Sequence, residues 1–174
     1  YDFGAYKMIR SKHGVETSRT RQGLFSRVSE TESKAASSFV MVGGDDTVVV
    51  NLLSKRSHTE ERRGGGLDRE IIAAHREING EIEIKGDSTI WEIKGSYLLT
   101  DGDKKIEISK VNESADGKKS LLWFYNGYVF TLNKKQIGAV QTLTKQYIWL
   151  DKELDPRMKL VLAAAAASFL FTEQ

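Results

Sequence analysis

The C-terminal segment restricts the possible folds more than any other part of this chain. From Leu160 to Phe171 the only polar residue is Ser168, and Ala163 to Ala167 are five consecutive alanines. A surface helix has an apolar stripe and a charged face, whereas this segment is apolar on every side. We therefore expect it to be buried all round.

The same segment carries clear helix signals. Alanine and leucine are the strongest helix formers, and the chain's only proline, Pro156, suits a first helical position, with Asp155 before it as the N-cap. A helix over about 156–171 would have roughly 16 residues and be roughly 24 Å long, whereas a helix that crosses a bilayer usually needs roughly 20 residues. The sequence therefore predicts a buried core helix, and no transmembrane span is expected.

The residues before the helix have the pattern of β-hairpins. The β-branched runs 38–42 and 47–53 are separated by Gly43-Gly44-Asp45-Asp46, and Asn126-Gly127 lies between the aromatic runs 121–125 and 128–132. In residues 81–85, isoleucines alternate with charged residues, which indicates a sheet with one wet face. We predict a mainly β fold (α+β): a closed antiparallel β-barrel of roughly 10–12 strands around the buried helix.

Other segments are less regular. Residues 1–38 are polar and predict an N-terminal arm, with an organelle-targeting segment as the alternative, ahead of a domain formed by residues 39–174. Residues 54–66 are polar, end in three glycines and predict a long mobile loop. Residues 67–78 fit either a helix or a strand, and their neighbours favour a strand.

Composition limits the function only broadly. The 174 residues can bury the core of one domain, and the absence of cysteine favours an intracellular protein, with peripheral membrane or organellar association left open. The net charge of +2 gives no overall attraction to nucleic acid or to an anionic membrane. An aromatic platform at Trp123 and Tyr125 has no basic groove beside it, so nucleic-acid binding is not expected.

Catalytic motifs are missing from the sequence. His13, His58 and His75 are far apart and lack the spacing of a zinc site, and no nucleophile motif is present. We therefore expect no enzyme activity and no cofactor.

Basic residues recur at predicted turns and in the polar insert. If several of them share one end of the fold, they could hold anionic lipid headgroups, at about 1 kcal/mol per basic residue near an anionic surface. The alternative is that they solubilise turns and discourage edge pairing. The candidates are Lys55, Arg56, Arg62, Arg63, Lys104, Lys105, Lys118, Lys119, Lys134 and Lys135.

Two short pieces resemble a known superfamily. The segment Leu154-Asp155-Pro156-Arg157-Met158-Lys159-Leu160-Val161-Leu162-Ala163 resembles the entry to the last helix of phospholipid scramblases, and Trp91-Glu92-Ile93-Lys94-Gly95 is similar to strands of LURP-one-related proteins. Both belong to the tubby C-terminal-like superfamily, and the architecture matches over about residues 39–171. The resemblance implies a barrel threaded by its C-terminal helix and, from the tubby branch, phosphoinositide binding. Unlike scramblases, the chain has no cysteine for acylation.

In scramblases a calcium-linked acidic segment precedes the last helix, where this chain has Asp151, Glu153 and Asp155. An EF-hand beginning there would need Gly at position 156 and Glu at position 162, which are Pro156 and Leu162. The favoured interpretation makes Asp155 the helix cap, with a calcium site as the alternative.

Together these features predict a non-catalytic, tubby-like domain that binds an anionic lipid of the phosphoinositide type or lies at a membrane surface. The alternative is a structural or protein-interaction subunit of a larger assembly, with residues 1–38 wrapped around a protein partner.

Overall fold

The computed structural model describes residues 2–14, 16–22, 27–62, 69–112, 127–142 and 146–172. They form a 12-stranded antiparallel sheet and one helix. The strands are β1 Asp2–Phe3, β2 Tyr6–His13, β3 Thr17–Gln22, β4 Val28–Gly43, β5 Asp46–Arg62, β6 Arg69–Ile84, β7 Ile90–Lys94, β8 Leu98–Thr100, β9 Lys105–Val111, β10 Gly127–Leu132, β11 Lys135–Gln141 and β12 Tyr147–Leu150.

The predicted C-terminal helix is confirmed as α1, Pro156–Thr172. An oxygen of the Asp155 carboxylate accepts the N–H of Met158 at 2.9 Å, which is the N-cap bond. Ala163 to Ala167 are 0% exposed, and the hydroxyl of Ser168 donates to the carbonyl of Ala164 at 2.9 Å. The one polar side chain in the apolar segment is therefore satisfied within the helix.

The sheet curves around α1 and buries alternate side chains against it. The helix packs on β5, β6, β11 and β12. Phe169 lies against the rings of Tyr128 and Phe130, at centroid distances of 4.1 and 6.3 Å. The small alanine side chains let the strands approach the helix closely, so helix and sheet form one core.

The predicted closure into a barrel is wrong. The strand order runs β1-β2-β4-β5-β6-β7-β8-β9-β10-β11-β12, with β3 paired to β4, and within the described ranges β12 makes no pairing with β1 or β2. Strand number alone does not close a sheet, because the two edge strands must also meet in register. Here the edge strands are short, with two residues in β1 and four in β12.

Several local predictions are confirmed. Gly43 pairs with Asp46 across a turn in which Gly44 has a φ of +61°, as the hairpin signal predicted. Residues 69–78 belong to β6, so the strand interpretation of this stretch is correct. Asn126 and the run 121–125 lie outside the described residues, so the hairpin turn predicted at Asn126-Gly127 stays a prediction. Asn133 and Lys134, both at positive φ, connect β10 to β11, so Lys134 lies at a turn as predicted.

Two boundary predictions fail because β4 and β5 are much longer than expected. The boundary at residue 38 lies inside β4, and β1 to β3 are hydrogen-bonded into the sheet, so the described residues of 1–38 belong to the sheet rather than to a separate arm. The predicted loop at 54–66 is strand as far as Arg62. Within the described ranges, the structure contains no helix whose length and hydropathy would let it traverse a bilayer.

Candidate functional site: a projecting four-stranded sheet

Strands β4, β5 and β6 each consist of two halves. One half packs on α1, and we call residues 37–43, 46–52 and 78–84 the wall. Near the C-terminal end of α1, Phe171 stacks on His13 at 4.3 Å and lies 5.6 Å from the ring of Phe39. Past the C-terminal end of α1 the three strands continue as residues 28–36, 53–62 and 69–77. We call these residues, together with β3, the projection. At about 3.3 Å per residue it extends roughly 30 Å.

The projection begins where β7 leaves β6. Gly95 and Ser96, both at a φ of +63°, turn the chain away, and the Ser96 hydroxyl accepts the N–H of Ile78 at 2.6 Å. The Ser96 N–H donates to the Ile78 carbonyl at 3.0 Å, and the Gly95 N–H donates to the Asn79 side-chain oxygen at 2.9 Å. Side chains thus complete the hydrogen bonding of β6 at the point where its neighbouring strand ends.

The projection has no core of its own. In the wall, buried side chains recur at alternate positions, for example Val48, Val50 and Leu52 on β5, whereas no described side chain of the projection is buried. A sheet normally needs a hydrophobic face or a packed helix for independent stability. The described residues supply neither, and the side chains of the projection are half-buried or exposed.

Charges of both signs cover the projection. Glu32 on β4 pairs with Lys55 at 3.0 Å and with Lys34 at 3.3 Å. Hydrogen bonds from Lys55 and then Lys34 hold the pKa of Glu32 below its ordinary value. All three side chains are more than a third exposed, so each ion pair contributes little to stability.

Across β5 and β6 the charges are unfavourably placed. Arg56 lies opposite Arg76, and Glu61 lies opposite Glu70. Like charges directly opposite each other in a sheet are destabilising. Glu70 and Arg76 each have a further interaction as well, so the two rows alone do not set the stability of this region.

Among the strands that the structure describes, the two outer strands of the projection, β3 and β6, differ in character. The β3 edge, Thr17–Gln22, has no apolar residue and carries Arg19 and Arg21. On the β6 edge, Ile71 is 61% exposed and Ile72 is 50% exposed, followed by two exposed alanines. Charged edge strands resist pairing with other chains, whereas exposed apolar ones invite it. Of the two, only β6 exposes apolar residues.

The described members of the predicted lipid-binding set fall into two separate groups. Lys55, Arg56 and Arg62 belong to the projection, while Lys104, Lys105, Lys134 and Lys135 lie at the end of the wall where α1 begins. That end is identified by the contact of Arg157 with Asp87, 3.3 Å apart, which places the β6–β7 turn beside the first turn of the helix. Arg63, Lys118 and Lys119 lie outside the described residues.

The three predicted calcium ligands have other partners. The Lys135 ammonium lies 2.8 Å from Asp151 and 3.4 Å from Glu153, and Asp155 caps the helix. The hydrogen bond from Lys135, followed by the Glu153 N–H, holds the pKa of Asp151 below its ordinary value, and Asp151 in turn raises the pKa of Lys135. A lysine thus supplies the positive charge, and no group of three metal-ligating side chains occurs in the described part of the chain.

Three lysines remain exposed at the end of the wall where α1 begins, which we call the helix-entry end. Lys104, Lys105 and Lys134 have no carboxylate within ion-pair distance among the residues that the structure describes. Carboxylates are nevertheless frequent at this end, where Asp87, Asp101, Asp103, Asp151 and Glu153 lie in or next to the turns. The helix-entry end therefore carries charges of both signs.

Comparison with protein-family models, with characterised proteins and with solved structures finds no match. The resemblance to the tubby C-terminal-like superfamily therefore rests on the two sequence pieces described above and stays a prediction.

Proposed function

We propose that this chain is a non-catalytic protein-interaction module whose contact surface is the projection. The observation that carries the proposal is the contrast within β4, β5 and β6, where the wall half buries alternate side chains and the projecting half buries none of its described side chains. A partner that covers one face would give these strands the burial that they lack on their own.

The charge pattern favours a protein partner over a membrane. Anionic lipid is held by a patch of one sign, whereas Glu30, Glu32, Glu60, Glu61, Glu70 and Glu77 are interspersed with the arginines and lysines of the projection. Mixed charges at fixed spacing on a sheet can instead be matched residue by residue by another polypeptide, which gives specificity.

Site-specific photo-crosslinking tests the proposal. A photoreactive side chain at Ser57, on the projection, should yield discrete crosslinked products in the cells that produce the protein. The matched control is Glu83 on the wall, which is exposed and lies on the same outer sheet face but has α1 behind it. Equal or absent crosslinking at the two positions would contradict an interaction role for the projection.

A second candidate function is binding of an anionic lipid surface through the helix-entry end, because Lys104, Lys105 and Lys134 are exposed there without ion-pair partners among the described residues. The triple change of these lysines to glutamate should abolish co-sedimentation with phosphoinositide-containing vesicles at low salt. Equal recovery of the unmodified protein with neutral and anionic vesicles would exclude this function.

A further inference from the structure

We propose that the outer edge of β3 binds an extended acidic segment of another protein as an additional antiparallel strand, with carboxylates at alternate positions opposite Arg19 and Arg21. This inference rests on the interaction role proposed above. It specifies which edge of the projection is used and the chemistry of the partner.

The first argument is the direction of the backbone groups. The N–H of Gly14 donates to the carbonyl of Ala36, so the backbone groups of Ala36 face away from β5, toward the side of β4 on which β3 lies. In an antiparallel strand these groups alternate sides, and β4 pairs with β5 without a register shift, so those of Glu32, four residues earlier, face β3 as well. Glu32 is paired with Arg19. The backbone groups of Arg19 are therefore directed at β4.

The residues on either side of Arg19 face the other way. The N–H and C=O of Ser18 and Thr20 point away from β4, and β3 has no second neighbour among the described strands. All six residues of β3 are exposed. Gln22, at the end of the strand, has a further interaction and is not part of the proposed edge. Ser18 and Thr20 therefore present backbone donors and acceptors that have no strand partner in the described part of the chain.

The second argument is the availability of the two arginines on this strand. Arg19 and Arg21 are exposed and have no carboxylate within ion-pair distance in the described ranges. Glu32 is directly opposite Arg19 on β4, but its carboxylate binds the ammonium groups of Lys55 at 3.0 Å and Lys34 at 3.3 Å. Both guanidinium groups can therefore bind carboxylates that arrive from the open side of β3, through paired hydrogen bonds.

The third argument is the geometry of an added strand. In an antiparallel sheet, opposite residues that exchange no backbone hydrogen bonds have the closer side chains, with Cα atoms about 4.5 Å apart instead of about 5.5 Å. Because Arg19 and Arg21 direct their backbone groups at β4, they would form such close pairs with a strand on the other side. Carboxylates at two alternate positions of that strand would therefore lie directly beside the two guanidinium groups. Main-chain bonds at Ser18 and Thr20 would provide affinity.

β4 contains a segment with the pattern that such a partner needs. Its residues 29–33, Ser-Glu-Thr-Glu-Ser, alternate hydroxyl and carboxyl side chains, and they pair antiparallel with β3 so that the two glutamates are opposite the two arginines. On the other face, the hydroxyl groups of Thr20 and Thr31 lie 3.0 Å apart. A segment with the same alternation would therefore match the other side of β3 in both charge and hydrogen bonding.

The same arginines select against other occupants. A charged edge resists pairing with neutral or basic strands, so a strand of opposite charge is favoured over them. A second copy of the chain is a poor occupant. Antiparallel pairing of β3 with its own copy, about an axis at Arg19 or at Thr20, places arginine opposite arginine, and like charges directly opposite each other are destabilising.

Fluorescence anisotropy of labelled peptides with the full chain tests the proposal. The alternating peptide, with the order Ser, Thr, Glu, Thr, Glu, Thr, Ser, should bind about tenfold more tightly than the same peptide with Gln for Glu, the size expected for two exposed ion pairs. An isomer with adjacent glutamates has the same charge but can place only one carboxylate opposite an arginine, so it should bind about threefold more weakly than the alternating peptide. Binding of the alternating peptide should slow hydrogen exchange at the amides of Ser18 and Thr20.

Variants of the protein separate edge binding from general effects of charge or folding. Arg19→Gln combined with Arg21→Gln should abolish the preference for the alternating peptide over its Gln form. Lys12→Gln removes a positive charge from an exposed position on β2, outside the projection, and should leave the preference unchanged. Ser18→Pro removes an outward-pointing N–H without removing a bond to β4, so the protein should stay folded and lose peptide binding, whereas Ser18→Ala should retain it.

Binding of the Gln peptide or of the isomer as tightly as the alternating peptide would overturn the strand-docking inference, and so would peptide binding that survives Ser18→Pro. If crosslinks at Ser57 still exceeded those at Glu83 in that case, the interaction role would stand and only the β3 edge would be excluded. Concentration-dependent self-association in sedimentation that is abolished by Ser18→Pro would identify a second copy of the chain as the occupant and would equally overturn the proposal.

Discussion

The wall and the projection are two halves of the same three strands, and they have opposite physical character. In the wall, Ile82 of β6 is 0% exposed and faces α1, whereas Ile72 of the same strand is 50% exposed. Backbone pairing continues without interruption from β4 to β6 through both halves, apart from the bulge at Ile72. Hydrogen-bonded strands therefore do not by themselves create a core. The helix does so, and only as far along the strands as it reaches.

The largest difference between the halves is expected for a buried charge. Ala165→Asp places a carboxylate at a position that is 0% exposed, and an unpaired buried charge costs several kcal/mol or more, comparable with the whole stability of a domain. We expect insoluble or unfolded protein, measured by solubility and circular dichroism.

The matched control is Ala36→Asp at an exposed position on the projecting half of β4. It should change the free energy of unfolding by no more than about 0.5 kcal/mol. A soluble, folded Ala165→Asp protein would show that α1 is not the core of the wall.

The next largest difference is expected for one substitution at two positions of β6. Ile82→Ala should lower the free energy of unfolding by about 2–5 kcal/mol because it leaves a cavity beneath α1. Ile72→Ala should change it by about 0.5 kcal/mol or less because the side chain is half exposed. Urea denaturation measures both, and equal losses would mean that the projection has a packed core after all.

The boundary between the halves can be weakened at Ser96. Ser96→Ala leaves the buried N–H of Ile78 without its 2.6 Å acceptor, which should cost about 1–3 kcal/mol. Amide exchange at Ile78 should accelerate, as measured by hydrogen exchange with NMR detection. Ser18→Ala on exposed β3 serves as the control, and an Ile78 amide that stays protected in Ser96→Ala would rule out this role of the hydroxyl.

The smallest effects concern one ion-paired carboxylate in each region. The pKa of Glu32 in the projection and that of Asp151 beside α1 both lie below their ordinary values of 4.5 and 3.8. A lowered folded-state pKa gives stability that is present above the unfolded-state value and is lost as the pH falls through the folded-state value. Lys55→Ala and Lys135→Ala should therefore raise the respective carboxyl pKa.

In both variants the stability difference from the unmodified protein should disappear in acid, below these values. NMR titration of each carboxyl group measures the shift of its pKa. High salt should reduce both pKa shifts because the charged groups are exposed. A carboxyl pKa that does not change in Lys135→Ala would contradict the lysine-centred cluster at the helix-entry end.

Sequence patterns predicted the parts of the molecule that are governed by local rules. The segment ending at Phe171, apolar except for Ser168, predicted the helix and its burial, and the alternation around Ile82 predicted the strands and their inner face. The projection escaped prediction because the polar run after Leu53 has none of the alternation that burial on one face imposes. Its one visible signal was the apolar group beginning at Ile71, which suits a strand without a covered face.

The placement of the candidate site residues could not be deduced from neighbours along the chain. Lys135 was grouped with other basic residues as a lipid contact, yet it binds Asp151 because β11 and β12 are adjacent in the sheet. Arg56 and Arg76 are 20 positions apart in the sequence, and only the β5–β6 register places them opposite each other.

The sequence by itself determined that α1 is a buried helix and that strands surround it, because burial on all sides and alternate burial leave direct patterns in residue polarity. Tertiary structure alone decided that the sheet stays open and that three strands run past the end of the helix. Closure depends on how the distant edge strands β1 and β12 meet, and the projection depends on where α1 stops relative to β4, β5 and β6. Neither relation can be predicted from the residue pattern of any one segment.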